Sequence, residues 1–373
     1  MSNIKVVIIG STHHNTYSMV RCFGEWGIPP YLILCGDANS YVLKSSLLRE
    51  GFPVRNEEEA LGLLVSHADV LEGAAIISCS DTIASMLDLN YDMISQHYHV
   101  FNCGKQGALT SSMNKLIQTQ KAKEVGFSVP CSVEGDPESV LNTDIPYPRI
   151  IKPVESIHGG KQICICDSNG AYQKGLKEFN NKEKVIVQSF IKKEYEIVVL
   201  GLSIGNDVVI PGYIQKHRDT KGGTTFSTVR RIETLPSNVI ESCVKLSKIL
   251  KYEGLWGIEL IKQGNDYFFV EINLRNDATT YAMAVAGVNL PMLYLKEKTG
   301  SDYQPSEKIV EIDAMVEFPD FIHVLKRKVN PFSWYKQLKN SQCRYFYNKN
   351  DIEPYRQCKK EFMNMLLKRL IRL

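Results

Sequence analysis

The stretch Tyr267-Phe-Phe-Val-Glu-Ile-Asn-Leu-Arg-Asn-Asp277 carries charge where a core strand is normally apolar. Its aromatic and β-branched start is typical of a β-strand. Side chains alternate between the two faces of a strand, so Glu271, Asn273 and Arg275 are predicted to share one face. A guanidinium pairs bidentately with carboxylate or phosphate, so Arg275 is suited to bind an anion. The pattern indicates a binding site built on a strand.

A second strand with a carboxylate precedes this stretch. It is Trp256-Gly-Ile-Glu-Leu-Ile261, and Gln263-Gly-Asn-Asp266 between the two strands predicts a hairpin turn. Glu259 would then meet Glu271 across the hairpin. Together with the amide oxygen of Asn273, these carboxylates form a set of hard oxygen ligands that suits Mg²⁺, with Mn²⁺ as the alternative ion. The competing interpretation is a solvated hairpin face.

Composition is that of an ordinary globular protein of 373 residues, long enough for two or three domains. The net charge of +3 argues against nucleic-acid binding by the whole surface. The charge is uneven, however, because residues 321–373 hold 13 lysines and arginines against three acids.

We expect Lys359–Leu373 to form a helix with its apolar side chains broadly on one side, namely Phe362, Met365, Leu366, Leu370 and Leu373. This helix would dock either on the protein itself or on an anionic membrane.

Cysteine usage and targeting signals predict a cytoplasmic protein. The ten cysteines include no CxxC pair, which favours a reducing compartment. Cys164 and Cys166 are predicted to be small core residues rather than metal ligands. The apolar run after Lys5 is too short for a signal peptide, and no run approaches the roughly 20 residues of a membrane span.

The N-terminal sequence predicts a βαβ unit. Lys5–Gly10 and Tyr31–Cys35 read as parallel strands, with a helix from about Tyr17 to Trp26 between them. Ligands bind at the carboxyl ends of such strands, where the loop Ser11–Asn15 would lie. A later strand, 74–78, is followed by a helix for which Asp81 is the predicted cap.

Two lysines lie at positions that suit anion binding. Lys115 is near the start of a helix predicted over Ser111–Val125, with Met113, Leu116 and Ile117 at apolar positions. Lys152 ends the apolar strand of 148–153, where an amine is costly unless it meets an anion. His158-Gly-Gly-Lys161 is either a backbone nest for phosphate or an ordinary turn. The polar segment 215–225 is either a solvated loop or a mobile clamp.

Glu259, the segment Phe269-Val-Glu-Ile-Asn-Leu-Arg275 and Ala286-Gly-Val-Asn-Leu-Pro291 resemble the metal-binding end of the ATP-grasp superfamily. This superfamily includes biotin carboxylase, carbamoyl phosphate synthetase, D-alanine:D-alanine ligase and D-aspartate ligase, and the resemblance covers about residues 1–310. It implies an α/β (α+β) chain with an N-terminal parallel-sheet, Rossmann-like domain. The implied divisions are an N-terminal domain (1–108), an ATP-grasp domain (109–310) with a lid at about 127–187 and a metal-binding part at about 188–310, and a basic extension (311–373).

The resemblance also implies roles for individual residues. Glu271 would bridge two metal ions, and Glu259 and Asn273 would complete their ligand shells. The residues implied to bind ATP are Lys115, Lys152, His158, Gly159, Gly160, Lys161, Gln188, Ser189, Phe190, Ile191, and either Glu194 or Glu196 for the ribose. Gln188 departs from the more usual Glu, although its amide can still recognise adenine. The residues implied to act on the γ-phosphate and the acyl group are Lys216, Arg218 and Arg275.

The activity that the resemblance implies is an ATP-dependent carboxylate-amine ligase. Its partners would be ATP, a small carboxylate and an amine, without nucleic acid, and homo-oligomerisation stays open. One alternative is an ATP-grasp kinase that phosphorylates a small acceptor. Another is a non-catalytic, membrane-associated assembly protein built on the same fold.

Overall fold

The structure, a computed structural model, describes residues 4–154, 163–180 and 183–371. It has the expected mixed α/β fold, with three β-sheets in these residues. Within the same ranges, no helix is both long and apolar enough to cross a membrane.

A four-stranded parallel sheet forms the N-terminal part of the chain. Its strands are β1 (Val6–Ser11), β2 (Tyr31–Cys35), β3 (Glu50–Val54) and β4 (Ala75–Ser78). They lie in the order β3-β2-β1-β4, so the predicted βαβ opening is confirmed. The sequence did not predict β3, because Gly51 and Pro53 weaken the strand pattern. Proline is tolerated there because β3 is an edge strand.

Three helices of this part begin at side-chain caps, namely α1 (His14–Gly24), α2 (Glu57–Ser66) and α3 (Asp81–Leu89). The short helix α4 (Tyr91–Ile94) begins without a side-chain cap. Helix α1 begins earlier than predicted, because Nδ1 of His13 accepts from the N–H of Asn15 at 3.1 Å. The predicted capping role of Asp81 is wrong, because Oγ of Ser80 caps α3 by accepting from the N–H of Ile83 at 3.2 Å.

The helix predicted over 111–125 is two helices, α5 (Ala108–Ser112) and α6 (Lys115–Glu124). Asn114 separates them, and its Oδ1 caps α6 by accepting from the N–H of Leu116 at 2.9 Å. Of the three predicted apolar positions, Met113 packs against the core, whereas Ile117 is 38% exposed. The buried position next to Ile117 is taken by Gln118.

A second, antiparallel sheet covers part of the predicted lid. Its strands are β5 (Ser132–Gly135), β6 (Arg149–Pro153), β7 (Cys164–Cys166) and β8 (Val185–Ser189), in the order β5-β8-β6-β7. Helix α7 (Asn169–Leu176) packs on this sheet. Cys166 is buried in its core and Cys164 packs against that core, which confirms the predicted structural role of the two thiols.

The central sheet has seven strands. They are β9 (Tyr195–Ile204), β10 (Asp207–Thr220), β11 (Gly223–Arg231), β12 (Gly254–Gln263), β13 (Asp266–Asn273), β14 (Ile312–Met315) and β15 (Cys343–Arg344). Their order is β13-β12-β9-β10-β11-β14-β15, and only β14 and β15 pair in parallel. The prediction of a loop over 215–225 is therefore wrong, because these residues form the end of the β10–β11 hairpin. The helices beside this sheet are α8 (Ser237–Ile249), α9 (Thr280–Val285) and α10 (Leu290–Thr299).

The C-terminal segment packs against the rest of the protein. Its helices are α11 (Glu317–Leu325), α12 (Pro331–Asn340) and α13 (Ile352–Ile371). Helix α13 begins before the predicted Lys359, and Cys358 is buried. The ring of Phe362 lies 5.6 Å from Phe318 and 6.0 Å from Phe321. Helix α13 thus docks on the protein as far as Phe362, as one of the two interpretations of the tail expected.

Residues just before α13 accept hydrogen bonds from side chains of the N-terminal helix α1. The Asp351 carboxylate accepts from the hydroxyl of Tyr17 at 3.0 Å and from the N–H of Ser46 at 2.8 Å. The buried Arg21 guanidinium donates to the carbonyl of Arg344 at 2.6 Å. Two distant parts of the chain therefore satisfy each other's buried polar groups.

Candidate functional site

Two glutamates face each other across the β12–β13 hairpin. Glu259 pairs directly with Glu271 in the antiparallel register, and Gly257 pairs with Asn273. The strands join through the predicted turn after Gln263. The predicted meeting of the two carboxylates is confirmed.

Each carboxylate has a lysine of its own. Nζ of Lys216 lies 2.8 Å from Glu259, and Nζ of Lys115 lies 3.6 Å from Glu271. Burial and the charge of Glu259 raise the pKa of Glu271, against the opposing effect of Lys115. Burial also acts to raise the pKa of Glu259, but Lys216, Arg275 and a hydrogen bond with Asn273 together lower that pKa. The pair thus combines one firmly ionised carboxylate with one that holds its proton more tightly.

Lys216 links the hairpin to strand β9. Its amine lies 3.8 Å from Glu196, and although burial opposes the charge, Glu259 and Glu196 raise its pKa. Glu194 takes a different place, because its Oε1 accepts from the N–H of Gly264 at 2.7 Å in the hairpin turn. The structure therefore separates the two glutamates that the sequence offered as ribose ligands, and places Glu196 beside the lysine-carboxylate cluster.

Arg218 does not join this cluster. A β-bulge between Lys216 and Arg218 pairs them with Ser227 and Phe226, neighbours whose side chains lie on opposite faces of β11. The guanidinium of Arg218 therefore reaches Asp320 instead, with Nε and Nη2 donating to its carboxylate at 3.0 and 2.8 Å. The bulge thus separates Arg218 from Lys216, with which the resemblance grouped it at the γ-phosphate.

Lys152 lies in a second cationic position near the carboxylates. It is 9% exposed, and its Nζ donates to Oε1 of Gln188 at 3.1 Å. Burial lowers the pKa of Lys152 to about 8, and the charge of Lys115 lowers it as well, while Glu271 acts in the opposite direction. Lys115 contacts Glu271 and Lys152 is close enough to interact with its charge, an arrangement of two amines that a bound anion such as phosphate would stabilise.

The segment predicted to hold adenine spans the end of β8 and the two residues after it. Ser189, Phe190 and Ile191 are half-buried there. The N–H of Ser189 donates to the carbonyl of Cys131 at 2.9 Å, and that of Phe190 donates to the carbonyl of Pro148 at 3.1 Å. These two amides hold the strand end in place. The loop predicted to bind phosphate lies outside the described residues. It comprises His158, Gly159, Gly160 and Lys161.

Arg275 is fixed by three contacts just after β13. Nε donates to Asp81 at 2.8 Å, Nη2 donates to Oδ1 of Asn273 at 3.0 Å, and Nη1 donates to the carbonyl of Asn276 at 3.0 Å. A guanidinium has five N–H donors, so two remain for a further anion. Asp81 thus orients Arg275 instead of capping its helix.

The N-terminal loop meets the β10–β11 hairpin at this edge of the site. Nε2 of His13 lies 3.2 Å from the carbonyl of Gly222, while its Nδ1 accepts from Asn15. These partners require the neutral tautomer with hydrogen on Nε2, and burial correspondingly lowers the pKa of His13. The side chains of Asn15 and Asn276 are hydrogen-bonded to each other in the buried layer behind. Direct contact of this loop with a substrate stays a prediction.

Gln118 is a positioning residue that the sequence did not reveal. Its Nε2 donates to the carbonyl of Ile272 at 2.9 Å, and its Oε1 accepts from the N–H of Ile272 at 3.1 Å. It therefore holds β13 in place at Ile272, between Glu271 and Asn273. A polar residue one turn after Lys115, on a helix with few apolar positions, was the available signal.

The donor set fits a hard divalent cation. It comprises the carboxylates of Glu259 and Glu271 and the amide of Asn273, whose oxygen has a second lone pair beside its bond to Arg275. A cation between the carboxylates would offset the mutual repulsion that raises the pKa of Glu271. Across the described ranges, no three His, Cys, Asp or Glu side chains converge on one point, so an amide ligand and phosphate oxygens would have to complete the shell.

Residues 120–287 match the family model of the ATP-grasp domain. The chain is 29% identical over 202 residues to the carbamoyl phosphate synthase large chain of Clostridium acetobutylicum, a match that covers 52% of this chain and 18% of that protein. It is 27% identical over 183 residues to the formate-dependent phosphoribosylglycinamide formyltransferase of Wolinella succinogenes, covering 45% and 46% of the two chains. The chain thus spans less than half the length of these relatives.

Solved structures agree in fold. The N5-carboxyaminoimidazole synthetase of Staphylococcus aureus, in complex with ADP, superposes with a TM-score of 0.66 at 14% identity, over 88% of both chains. The L-amino acid ligase of Bacillus licheniformis superposes with a TM-score of 0.64 at 12% identity, over 85% of this chain and 81% of that one. Together these comparisons show a match to the ATP-grasp domain over residues 120–287 and a shared fold over most of the chain.

Proposed function

We propose that the protein is an ATP-dependent carboxylate-amine ligase that forms an amide through an acylphosphate. The observation that carries this proposal is the contact of Lys115 with the Glu259–Glu271 pair, beside the buried amine of Lys152, which is close enough for its charge to interact with Lys115 and Glu271. Amines that bind phosphate and carboxylates that bind a cation are both required to position a nucleoside triphosphate for transfer of its γ-phosphoryl group. The match to the ATP-grasp domain supports ATP as a substrate, and the carboxylate and amine substrates are proposed here.

In the first step, an oxygen of the substrate carboxylate attacks the γ-phosphorus of ATP. The bond from that phosphorus to the β,γ-bridging oxygen breaks, and ADP leaves with the electron pair. Lys115 and Lys152 would hold the phosphates in line, since phosphoryl transfer depends on positioning and charge neutralisation. Mg²⁺ or Mn²⁺, held by Glu259, Glu271 and Asn273, would supply further neutralisation of the phosphate charge when bound.

In the second step, an amine nitrogen attacks the acyl carbon, the bond to the phosphate oxygen breaks, and phosphate leaves with its electron pair. The amine loses a proton to solvent or to phosphate. Arg275 would stabilise the negative oxygen of the tetrahedral intermediate through its two remaining N–H donors. As part of the same proposal, Lys216 would contact the γ-phosphate, and residues 1–108 would hold the substrate that is not the nucleotide.

The proposal is tested with hydroxylamine, which intercepts acylphosphates. The full chain is incubated with ATP, Mg²⁺, hydroxylamine and a panel of carboxylic acids, and both ADP and hydroxamate are measured. We expect hydroxamate from a restricted set of acids, in proportion to ADP, and neither product from Glu271→Gln. A phosphorylated acceptor without hydroxamate would instead identify a kinase. Absence of nucleotide binding would overturn both assignments and favour the non-catalytic alternative.

A further inference from the structure

Helix α12 presents aromatic side chains to solvent. Trp334 and Leu338 are half-buried and form its inner row. The exposed side chains of the outer row recur at helical spacing and are Phe332, Tyr335, Lys336 and Lys339. Phe332 is 78% exposed and Tyr335 is 60% exposed. A solvent-facing row normally holds polar residues, so two aromatic rings here need an explanation.

The chain around α12 is strongly basic. Residues 321–350 contain seven lysines and arginines and no acid. Lys326, Arg327 and Lys328 are exposed and precede α12 by two residues. Arg327 has a φ of 55°, a left-handed conformation that glycine or asparagine usually takes at a helix end. A cation is therefore present at a position where backbone conformation alone would favour another residue.

We propose that this surface binds an anionic lipid membrane. We call it the α12 patch and define it as Leu325–Lys328 together with the outer row of α12. Aromatic rings prefer the boundary between headgroups and acyl chains, and lysines on the same helix row reach anionic headgroups along their aliphatic stems. The outer row of the patch holds both aromatic rings and lysines. Its sign of charge complements the negative surface of such a membrane.

Helix α12 exposes aromatic rings, whereas the large apolar side chains that the described part of α13 exposes are Met363 and Leu367. Phe362, the one aromatic of the basic run from Lys359, packs against Phe318 and Phe321 of α11. It cannot enter a membrane without leaving the protein. Phe332 needs no such rearrangement.

A second copy of the chain is a weaker occupant of the α12 patch. A ten-residue helix is about 15 Å long and about 10 Å wide, so one face offers on the order of 150 Å². A stable protein interface needs about 800 Å² from each partner. A lipid surface has no such minimum area, because a few inserted rings and paired charges act together.

The test is cosedimentation of the full chain with vesicles of phosphatidylcholine alone and of phosphatidylcholine with phosphatidylserine. We expect binding to the anionic vesicles only, weakened by salt. Lys336→Gln/Lys339→Gln should weaken it by about 30-fold, since each charge near an anionic surface contributes about fivefold. Phe332→Ser/Tyr335→Ser should remove the part of the binding that persists at higher salt.

Matched controls lie outside the patch. Lys245→Gln removes an exposed lysine from α8, and Val310→Ser removes an exposed apolar side chain, which is 65% exposed. Neither should change vesicle binding. An unchanged urea unfolding midpoint in every variant establishes that the fold is kept.

Several results would overturn the proposal. Equal sedimentation with both kinds of vesicle, or full binding by Lys336→Gln/Lys339→Gln, would remove the charge argument. Binding of a single-stranded RNA oligonucleotide through the patch, without vesicle binding, would assign it to nucleic acid. A dimer that the same variants abolish, again without vesicle binding, would assign it to self-association.

Discussion

Asp320→Ala is expected to be among the most destabilising single changes in the C-terminal segment. The Asp320 carboxylate is fully buried and accepts from Arg218, from Nε1 of Trp334 at 2.9 Å and from the hydroxyl of Thr225 at 2.7 Å. The change leaves a guanidinium whose side chain is 14% exposed without a counter-charge. Breaking a buried ion pair on one side costs about 3–5 kcal/mol of the free energy of unfolding.

The assay is urea unfolding followed by tryptophan fluorescence, with a matched surface pair as control. Arg230 and Glu311 form a comparable pair at 2.9 Å beside the same hairpin, but their side chains are 36% and 32% exposed. Glu311→Ala should therefore cost less than about 1 kcal/mol. The double change Arg218→Met/Asp320→Leu removes both buried charges and should be less destabilising than Asp320→Ala alone.

Two outcomes would refute this reasoning. One is an unchanged unfolding midpoint for Asp320→Ala. The other is additivity of the Arg218 and Asp320 changes, because contacting partners should show a coupling energy of about 0.5–3 kcal/mol. The same variants test the predicted catalytic role of Arg218. If that residue acts on phosphate, turnover in the double variant will be lost even where the protein remains folded.

Three further changes address the site itself. Glu271→Gln should abolish ADP formation with the unfolding midpoint retained, because it removes the charge proposed to bind the cation, and normal turnover would contradict that role. Lys152→Ala should weaken ATP binding by about 1.5–3 kcal/mol, measured by calorimetry, because it removes a charge-assisted phosphate contact, and an unchanged Kd would count against it. Gln118→Ala should lower the free energy of unfolding by about 1–3 kcal/mol by leaving both backbone groups of Ile272 unpaired, while the exposed Gln120→Ala should have little effect.

The carboxylate hairpin was predictable because its two strands and the turn at residues 263–266 follow one another directly in the sequence. A register shift between Glu259 and Leu260, which the sequence did not predict, places Glu271 rather than Val270 opposite Glu259. The strand that carries Lys152 was predictable for a similar reason, since a lysine in an apolar run is informative on its own. Neither inference needed contacts between distant residues.

The bulge before Arg218 was not predictable in this way. Alternation alone places Lys216 and Arg218 on one face, and one extra residue in β10 reverses the second of them. The hairpin formed by residues 215–225 was missed because its polar, glycine-containing sequence lacks a strand pattern. It is ordered by pairing between β10 and β11 and, at Gln215 and Lys216, by pairing with β9. Gln118 was missed because its partner, Ile272, lies 154 residues away.

The contacts of residues 344–351 with α1 have a consequence for synthesis of the protein. Tyr17 leaves the ribosome early, but its partner Asp351 lies 334 residues further along the chain. At the usual rate of about 5–20 residues per second, that interval is on the order of 20 to 60 s. Throughout it, Arg21 and Tyr17 lack the acceptors that satisfy them in the finished fold. Nascent chains stalled before residue 344 are therefore the species from which we expect misfolding and aggregation to begin.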